Sequence, residues 1–289
     1  VLKGLRNPEM IRKYAQLKYY ESFGHDGDDY LQRDWDNLVI LDACRYDVFE
    51  AVHDLPGTLE SATTPATRTY SFLRTTFGNG SYPDVIYTSA NPNIVNINAQ
   101  FHAVGKVWEH SWDSDLNTAH PKDVTDFALE MEAAYPNKRH VIHFVQPHTP
   151  FIGEVGKEIR GGGFSGDGVI RDTTAQESVF DRLRRGEISA KKVRAAYREN
   201  LEATMPHIRR LLDELPGKTV VTSDHGEAFG EGGVYGHPPF TFIEELQKVP
   251  WLVVESDSRK EIIRDSAGDK TGAIDETVEE RLKDLGYQE

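Results

Sequence analysis

Three short apolar runs break the polar background of this chain, and none shows the alternation of a half-exposed strand. Leu38-Val39-Ile40-Leu41 ends at Asp42. Val141-Ile142-His143-Phe144-Val145 runs into Gln146-Pro147-His148. Thr219-Val220-Val221 leads into Thr222-Ser223-Asp224-His225-Gly226-Glu227. Continuous runs of this length read as strands covered on both faces, as in parallel sheets. Strands are predicted over 37–43, 84–89, 139–145, 219–223 and 249–255. Between them the apolar period shifts to 3.6. Helices are predicted over 46–53, over 123–135 (Val124, Phe127, Ala128, Met131 and Ala134 on one face), and over 187–215. The last carries a stripe from Val193 through Tyr197, Leu201, Met205, Ile208 and Leu212 to Leu215, and Pro206 should kink or split it. In the Thr- and Ser-rich stretch 61–76, Pro65 is expected in the first turn of a helix.

Outside these elements the pattern is weaker. Met10, Ile11, Tyr14, Leu17 and Lys18 predict a surface helix in an N-terminal extension, residues 1–35. Val278, Leu282 and Leu285 predict a last short helix in a charged tail. Gly153 to Gly168 holds seven glycines. It reads as a long flexible loop, and it lacks the spacing of a phosphate-cradling P-loop.

Strands alternating with helices predict an α/β fold, a mostly parallel sheet with helices on both faces. No repeat or linker divides it, so residues 36–289 are expected to form one domain. Ligands of such sheets bind outside the carboxyl ends of the strands. Asp42, His148 and Asp224 all fall there. The adjacent Asp224–His225 pair offers one hard oxygen and one imidazole nitrogen to a divalent ion.

Composition narrows the partners. Of 289 residues, 47 are Asp or Glu and 33 are Lys or Arg, a net charge of −14. No basic stripe is present, so a nucleic-acid backbone is not an expected partner. The acidic balance suits solubility in strong salt, and a halophilic source is expected. The single cysteine, Cys44, excludes an intrachain disulfide framework and a cysteine-rich zinc site. No run reaches the ~18 apolar residues of a membrane span, and no signal-peptide pattern is visible. A cytoplasmic protein is expected, with secretion or membrane association left open because the chain opens on Val1.

Several segments together resemble the sulfatase-like branch of the alkaline phosphatase superfamily. Asn37 to Asp47 resembles its opening strand, where D-x-x-R-x-D follows an apolar run. Thr63-Thr64-Pro65-Ala66-Thr67 resembles the nucleophile segment. His143 to Phe151 resembles the H-x-x-D-P-H-x-P-Y stretch. Thr222 to Glu227, with Gly230 to Gly233, Gly236-His237 and Val249-Pro250, resembles its most specific segment. Glu280 to Tyr287 looks like a frequent ending. The resemblance covers the chain from about residue 36 onward and implies an alkaline phosphatase-like three-layer α/β/α domain.

It also implies chemistry. Thr63 would be the nucleophile, with Thr64 as its competitor. Asp42, Thr63, Asp224 and His225 would hold one divalent ion, Zn²⁺ or Mn²⁺. His148 and His237 would bind phosphoryl oxygens, protonate the leaving group, or hold a weaker second metal. Thr at position 63 cannot become the formylglycine of family sulfatases, so a phosphoester hydrolase or phosphotransferase working through a covalent phospho-enzyme is expected. A sulfatase-like sulfuric ester hydrolase and a non-catalytic metal-containing binding protein are the alternatives. Gln146 stands where the family pattern has Asp, which would weaken a second metal position. Arg45 and Asp47 are expected to pair structurally. Arg68 is a candidate phosphate clamp, set against a surface salt bridge. His143 is expected to be a satisfied core residue, Glu227 and Glu231 loop-forming, and Cys44 a buried small hydrophobe.

Overall fold

The computed structural model describes residues 27–159 and 178–265. The expected helices near residue 14 and residue 282 lie outside the described residues, as does most of the glycine-rich stretch.

The first strand, β1 (Asn37–Asp42), is buried along its whole length. Successive side chains of a strand point to opposite faces, so Leu38 and Ile40 enter one apolar cluster and Val39 and Leu41 the other. That is why the run is continuously apolar. The remaining strands are β2 (Thr58–Thr63), β3 (Ser81–Ser89), β4 (Gln100–Lys106), β5 (Arg139–Pro147), β6 (Thr219–Ser223), the two-residue β7 (Ala228–Phe229) and β8 (Tyr235–Gly236), and β9 (Lys248–Val254). Seven of them form one sheet in the order β2-β9-β6-β1-β5-β3-β4. Its pairings are parallel from β4 across to β6, and antiparallel where β9 meets β6 and β2. The sheet is therefore mostly parallel but mixed. β7 and β8 pair separately as a small hairpin.

Four longer helices cover the sheet: α1 (Tyr46–Val52), α2 (Thr69–Thr76), α3 (Pro121–Ala134) and α4 (Ala190–Glu214). Phe49 of α1, Phe127 and Met131 of α3, and Leu201 and Ile208 of α4 pack with Val39, Leu41, Phe144 and Val221. On the opposite face Phe72 and Leu73 of α2 pack with Tyr30, Trp35, Leu38, Ile40 and Trp251. This is the expected α/β architecture, with helices on both faces.

Three local expectations need correction. Pro206 neither kinks α4 into two nor ends it, since the helix runs from Ala190 to Glu214. One missing N–H is outweighed by the stripe from Val193 to Leu211, which is buried on both sides of the proline. Pro65 does not open a helix. Thr58 to Thr63 is paired with β9 instead, and α2 starts only at Thr69. Within the stretch read as a glycine-rich loop, Glu154–Lys157 forms a helical turn. Strands β2 and β4 are not visible in the apolar pattern, because β2 is largely exposed and β4 alternates.

Topology brings the chemistry together. β6, β1 and β5 are neighbours and all point the same way. Leu41 lies opposite Ser223, and Asp42 opposite Pro147. The residues that follow these strands, Asp224-His225 and His148, therefore emerge on either side of Asp42.

Candidate metal centre

Backbone geometry at the strand ends aims the carboxylates inward. Ala43 adopts a left-handed φ of 59°, a conformation that costs a residue with a Cβ on the order of 1 kcal/mol. The turn lets the Ala43 N–H donate to Asp224 Oδ1 at 3.0 Å, while Tyr197 Oη donates to the Ala43 carbonyl at 2.6 Å. The His225 N–H also donates to Asp224 Oδ1, at 2.9 Å. One oxygen of Asp224 is thus saturated by backbone. The other, Oδ2, is buried and accepts no hydrogen bond. A buried carboxylate oxygen without a donor is costly unless a cation meets it.

The groups around that oxygen suit a cation. His225 Nδ1 faces the Gly226 carbonyl at 2.8 Å. A carbonyl only accepts, so Nδ1 carries the proton and Nε2 presents its lone pair. His225 Nε2 lies 3.4 Å from Asp224 Oδ2 and 3.6 Å from Asp42 Oδ1. Thr69 Oγ1 lies 3.3 Å from His225 Nε2 and 3.4 Å from Asp42 Oδ1. A tetrahedral ion with bonds of ~2.0–2.1 Å requires donor–donor edges of about 3.3–3.4 Å. Four of the edges among Asp42, Thr69, Asp224 and His225 lie near this length, and the donor types suit a divalent ion.

The electrostatics agree. Burial, then the charge of Asp224, raises the Asp42 carboxyl well above its ordinary value. Burial also acts to raise Asp224, but His225 and His143 hold it below the ordinary range. Two carboxylates this close do not both ionise comfortably without a neighbouring positive charge.

His143 is not a satisfied core residue. It is fully buried, and its Nδ1 is 2.9 Å from Tyr87 Oη. Its Nε2 makes no hydrogen bond and stands 3.9 Å from Asp224 Oδ2. It forms a metal-type group with Asp42 and Asp224. Burial drops its pKa to about 4, so the ring is neutral at pH 7.

A second group of the same type adjoins the first. His148, Glu227 and His237 offer ligand atoms within 4.8 Å of one another. The His237 ring centroid is 5.0 Å from that of His148 and 4.6 Å from that of His225. Glu227 Oε1 meets His237 Nδ1 at 3.0 Å, and Oε2 makes no hydrogen bond. Burial raises Glu227 to about 7, and burial lowers both His148 and His237 to about 4. Both imidazoles are thus neutral at pH 7 rather than cationic. Glu227 belongs to this group, whereas Glu231 is a loop-former: it accepts from Arg45 Nη1 at 2.6 Å and from the Phe229 N–H at 2.5 Å.

Thr63 does not join either group. It is exposed at the end of β2, where its N–H donates to Asp28 Oδ2 at 2.7 Å. Thr64 is buried and donates its hydroxyl to the Asp224 carbonyl at 2.5 Å. The hydroxyl that reaches the carboxylates is that of Thr69, the first residue of α2. Sequence reading missed it because it stands outside the Thr-Thr-Pro motif. A signal existed in its place ahead of the apolar Phe72-Leu73 pair, at the start of a helix. Arg68, the N-cap of α2, has an exposed side chain whose charge helps lower the His237 pKa, after burial. Gln146 is buried and donates to the Ala119 carbonyl at 3.1 Å. Arg45 pairs with Asp47 through two hydrogen bonds of 2.7 and 2.8 Å, as expected. Cys44 is buried, also as expected.

The fold and this centre define an α/β protein with a buried carboxylate–imidazole site at the carboxyl ends of its central strands. No protein-family model and no curated protein sequence matches the chain. Its structural neighbours are phosphoethanolamine transferases and sulfatases. The C-terminal periplasmic domain of phosphoethanolamine transferase EptC from Campylobacter jejuni is 12% identical, with a TM-score of 0.46 over 76% of this chain and 78% of that one. The corresponding domain of EcEptC from Escherichia coli, in complex with Zn, is 10% identical with a TM-score of 0.46, over 81% and 76%. A 2-O GAG sulfatase is 12% identical with a TM-score of 0.47, over 78% of this chain and 64% of that one. No helix among the described residues is long and apolar enough to cross a membrane.

Proposed function

We propose that this protein is a metal-dependent hydrolase or transferase of phosphoesters, a sulfatase-like member of the alkaline phosphatase superfamily, and that Thr69 is its nucleophile. The observation that carries the reading is the set Asp42, Thr69, Asp224 and His225, in which His225 Nε2 stands 3.3–3.6 Å from a donor atom of each of the other three and Thr69 Oγ1 stands 3.4 Å from Asp42 Oδ1. Asp42, Asp224 and His225 would hold a divalent ion, Zn²⁺ or Mn²⁺, which would supply a lowered proton affinity at the Thr69 hydroxyl and a positive charge for the transferred group.

The residues divide the remaining work. Thr69 Oγ1, its hydroxyl proton given up to solvent, attacks phosphorus in line, its bond to phosphorus forming as the ester oxygen departs with the bonding pair. Its place at the N-terminus of α2 adds the favourable end of the helix dipole to the developing negative charge. Arg68, one residue earlier, meets the non-bridging oxygens of the anionic substrate. The departing oxygen takes its proton from solvent. His148, Glu227 and His237 instead form a second, weaker cation position facing the substrate. The phospho-threonine is then cleaved by water or by an acceptor hydroxyl, restoring Thr69. The substrate is a phosphoester rather than a sulfate ester because Thr69, like Thr63, cannot be converted to formylglycine.

The test is metal content together with turnover of bis-p-nitrophenyl phosphate, p-nitrophenyl phosphate and p-nitrophenyl sulfate, with Zn²⁺ or Mn²⁺ added. Wild type, Thr69→Ala and Thr63→Ala are compared. Metal-dependent phosphoester turnover lost in Thr69→Ala and retained in Thr63→Ala supports the reading. Loss in Thr63→Ala alone returns the nucleophile to β2. Preferential sulfate-ester turnover, or a metal-loaded protein without turnover, rejects phosphoester chemistry.

A further inference from the structure

Asp42 uses only one of its oxygens toward the centre. Oδ1 faces Thr69 and His225. Oδ2 is occupied by Asn91, whose side-chain Nδ2 donates to it at 2.6 Å. Asn91 is fully buried in the turn that follows β3, the strand beside β5. Its amide has no freedom to turn over. Oδ1 of Asn91 accepts the Asn93 N–H at 3.0 Å and so caps the 3-10 turn Pro92–Asn96. With the carbonyl side committed to that cap, the NH₂ side must face Asp42. The main chain is pinned as well. The Asn91 N–H donates to Ser89 Oγ at 3.0 Å, Ser89 Oγ donates to the Asn91 carbonyl at 2.8 Å, and the Ala90 N–H donates to the His143 carbonyl at 2.9 Å.

From this geometry we infer that Asn91 is a positioning residue for the metal centre, holding Asp42 as a one-oxygen ligand and thereby favouring a small four-coordinate ion. The inference rests on the metal reading proposed above. Its physical basis is carboxylate denticity. A free carboxylate offers both oxygens, and ions that take six or more oxygen ligands exploit this by binding it bidentate. A carboxylate whose second oxygen is fixed by an amide offers one, which suits the tetrahedral preference of Zn²⁺. The amide also fixes the rotation of the carboxylate plane, so the ion meets an oriented lone pair rather than a rotating group. Hydrogen-bond partners of ligands commonly change metal affinity by ~10–100-fold when removed.

Two variants separate this role from simple capping. Asn91→Ser keeps a side-chain acceptor for the Asn93 N–H but is too short to reach Asp42. Asn91→Ala removes both bonds. Full-length wild type and both variants are stripped of metal, and Zn²⁺ and Mn²⁺ dissociation constants are measured by chelator competition, alongside the thermal midpoint of each metal-free protein. We expect Zn²⁺ to bind ~10–100-fold more weakly in both variants. The preference for Zn²⁺ over Mn²⁺ should narrow, and the metal-free midpoint of Asn91→Ser should stay near that of wild type. Unchanged Zn²⁺ affinity in Asn91→Ser, with loss only in Asn91→Ala, would make Asn91 a cap and overturn the inference. If Asn91→Ala does not fold, Asn91→Ser alone decides. A wild type that binds neither ion defeats the metal reading and this inference with it, whereas a wild type that binds Zn²⁺ beside an equally tight Asn91→Ser defeats this inference alone.

Discussion

Thr69 Oγ1 stands 3.3 Å from His225 Nε2, across a gap of 156 positions in the chain. The hydroxyl comes from the first turn of α2 and the imidazole from the loop after β6. In the metal-free protein the Thr69 hydroxyl can donate to the Nε2 lone pair, and an ion entering beside them would take both as ligands. Their meeting beside two buried carboxylates is the arrangement on which the proposed nucleophile rests.

Replacing Thr69 should therefore separate chemistry from folding. Thr69→Ala is expected to lower phosphoester turnover by roughly 10³-fold or more, with a thermal midpoint close to wild type. Thr69→Ser should retain part of the activity, since it keeps a hydroxyl in the same place. Steady-state rates with p-nitrophenyl phosphate and its diester measure both.

The two groups of ligands should empty independently. Asp224→Asn is expected to remove the ion shared with Asp42 and His225, while Glu227→Gln should weaken only the position built with His148 and His237. Metal stoichiometry by plasma mass spectrometry after dialysis, followed by Zn²⁺ titration, distinguishes them. Equal loss of all metal in both variants would mean one joint site.

Gly226 should tolerate no side chain. A Cβ there would stand 2.0 Å from the Glu245 carbonyl oxygen, a main-chain atom that cannot swing away. The Gly226 N–H also donates to the Leu246 carbonyl at 2.9 Å. Gly226→Ala is expected to cost about 1–3 kcal/mol and to displace the neighbouring His225. Urea unfolding of the metal-free protein reads the first effect, and Zn²⁺ affinity the second.

Acid should weaken the loop behind the centre through Glu231. Burial acts to raise this carboxyl, but the Arg45 guanidinium and backbone donors hold it down at about 2. A folded pKa below the unfolded value of about 4.5 means stability that is fully present above that value and lost as pH falls from it toward 2. Glu231→Gln should thus be less stable than wild type at pH 5, with the gap narrowed but not closed at pH 3. Denaturation midpoints at the two pH values provide the measurement. A gap that widens on acidification would contradict the sign.

Much of this was legible in the chain. Val39, Leu41, Ile142, Phe144 and Val221 lie in runs without polar alternation, and runs this short, rich in β-branched residues, read as strands buried on both faces. Parallel strands put their carboxyl ends on one edge, so Asp42, His148 and Asp224 were bound to share it. What the apolar pattern missed were elements without that signature. Exposed β2 reads as a Thr-rich loop until β9 supplies its hydrogen bonds. His143 and Glu227 read as ordinary core and loop residues, because a missing hydrogen bond is a property of surroundings, not of residue type.

The sequence by itself determined the α/β class, the strands that carry the site and three of the proposed ligands, Asp42, Asp224 and His225, because continuous apolar runs mark strands covered on both faces and residues that follow parallel strands share one edge of the sheet. Only the tertiary structure decided which threonine completes the set. Thr63, Thr64 and Thr69 are equivalent in composition and nearly so in context. Pairing β2 with β9 leaves Thr63 outside, and Thr64 spends its hydroxyl on the Asp224 carbonyl. The chain must then cross from Pro65 to Arg68 before α2 can start. That start falls beside Asp42 because Phe72 and Leu73 pack against the sheet face formed by Leu38 and Ile40, a contact between elements that no local pattern encodes.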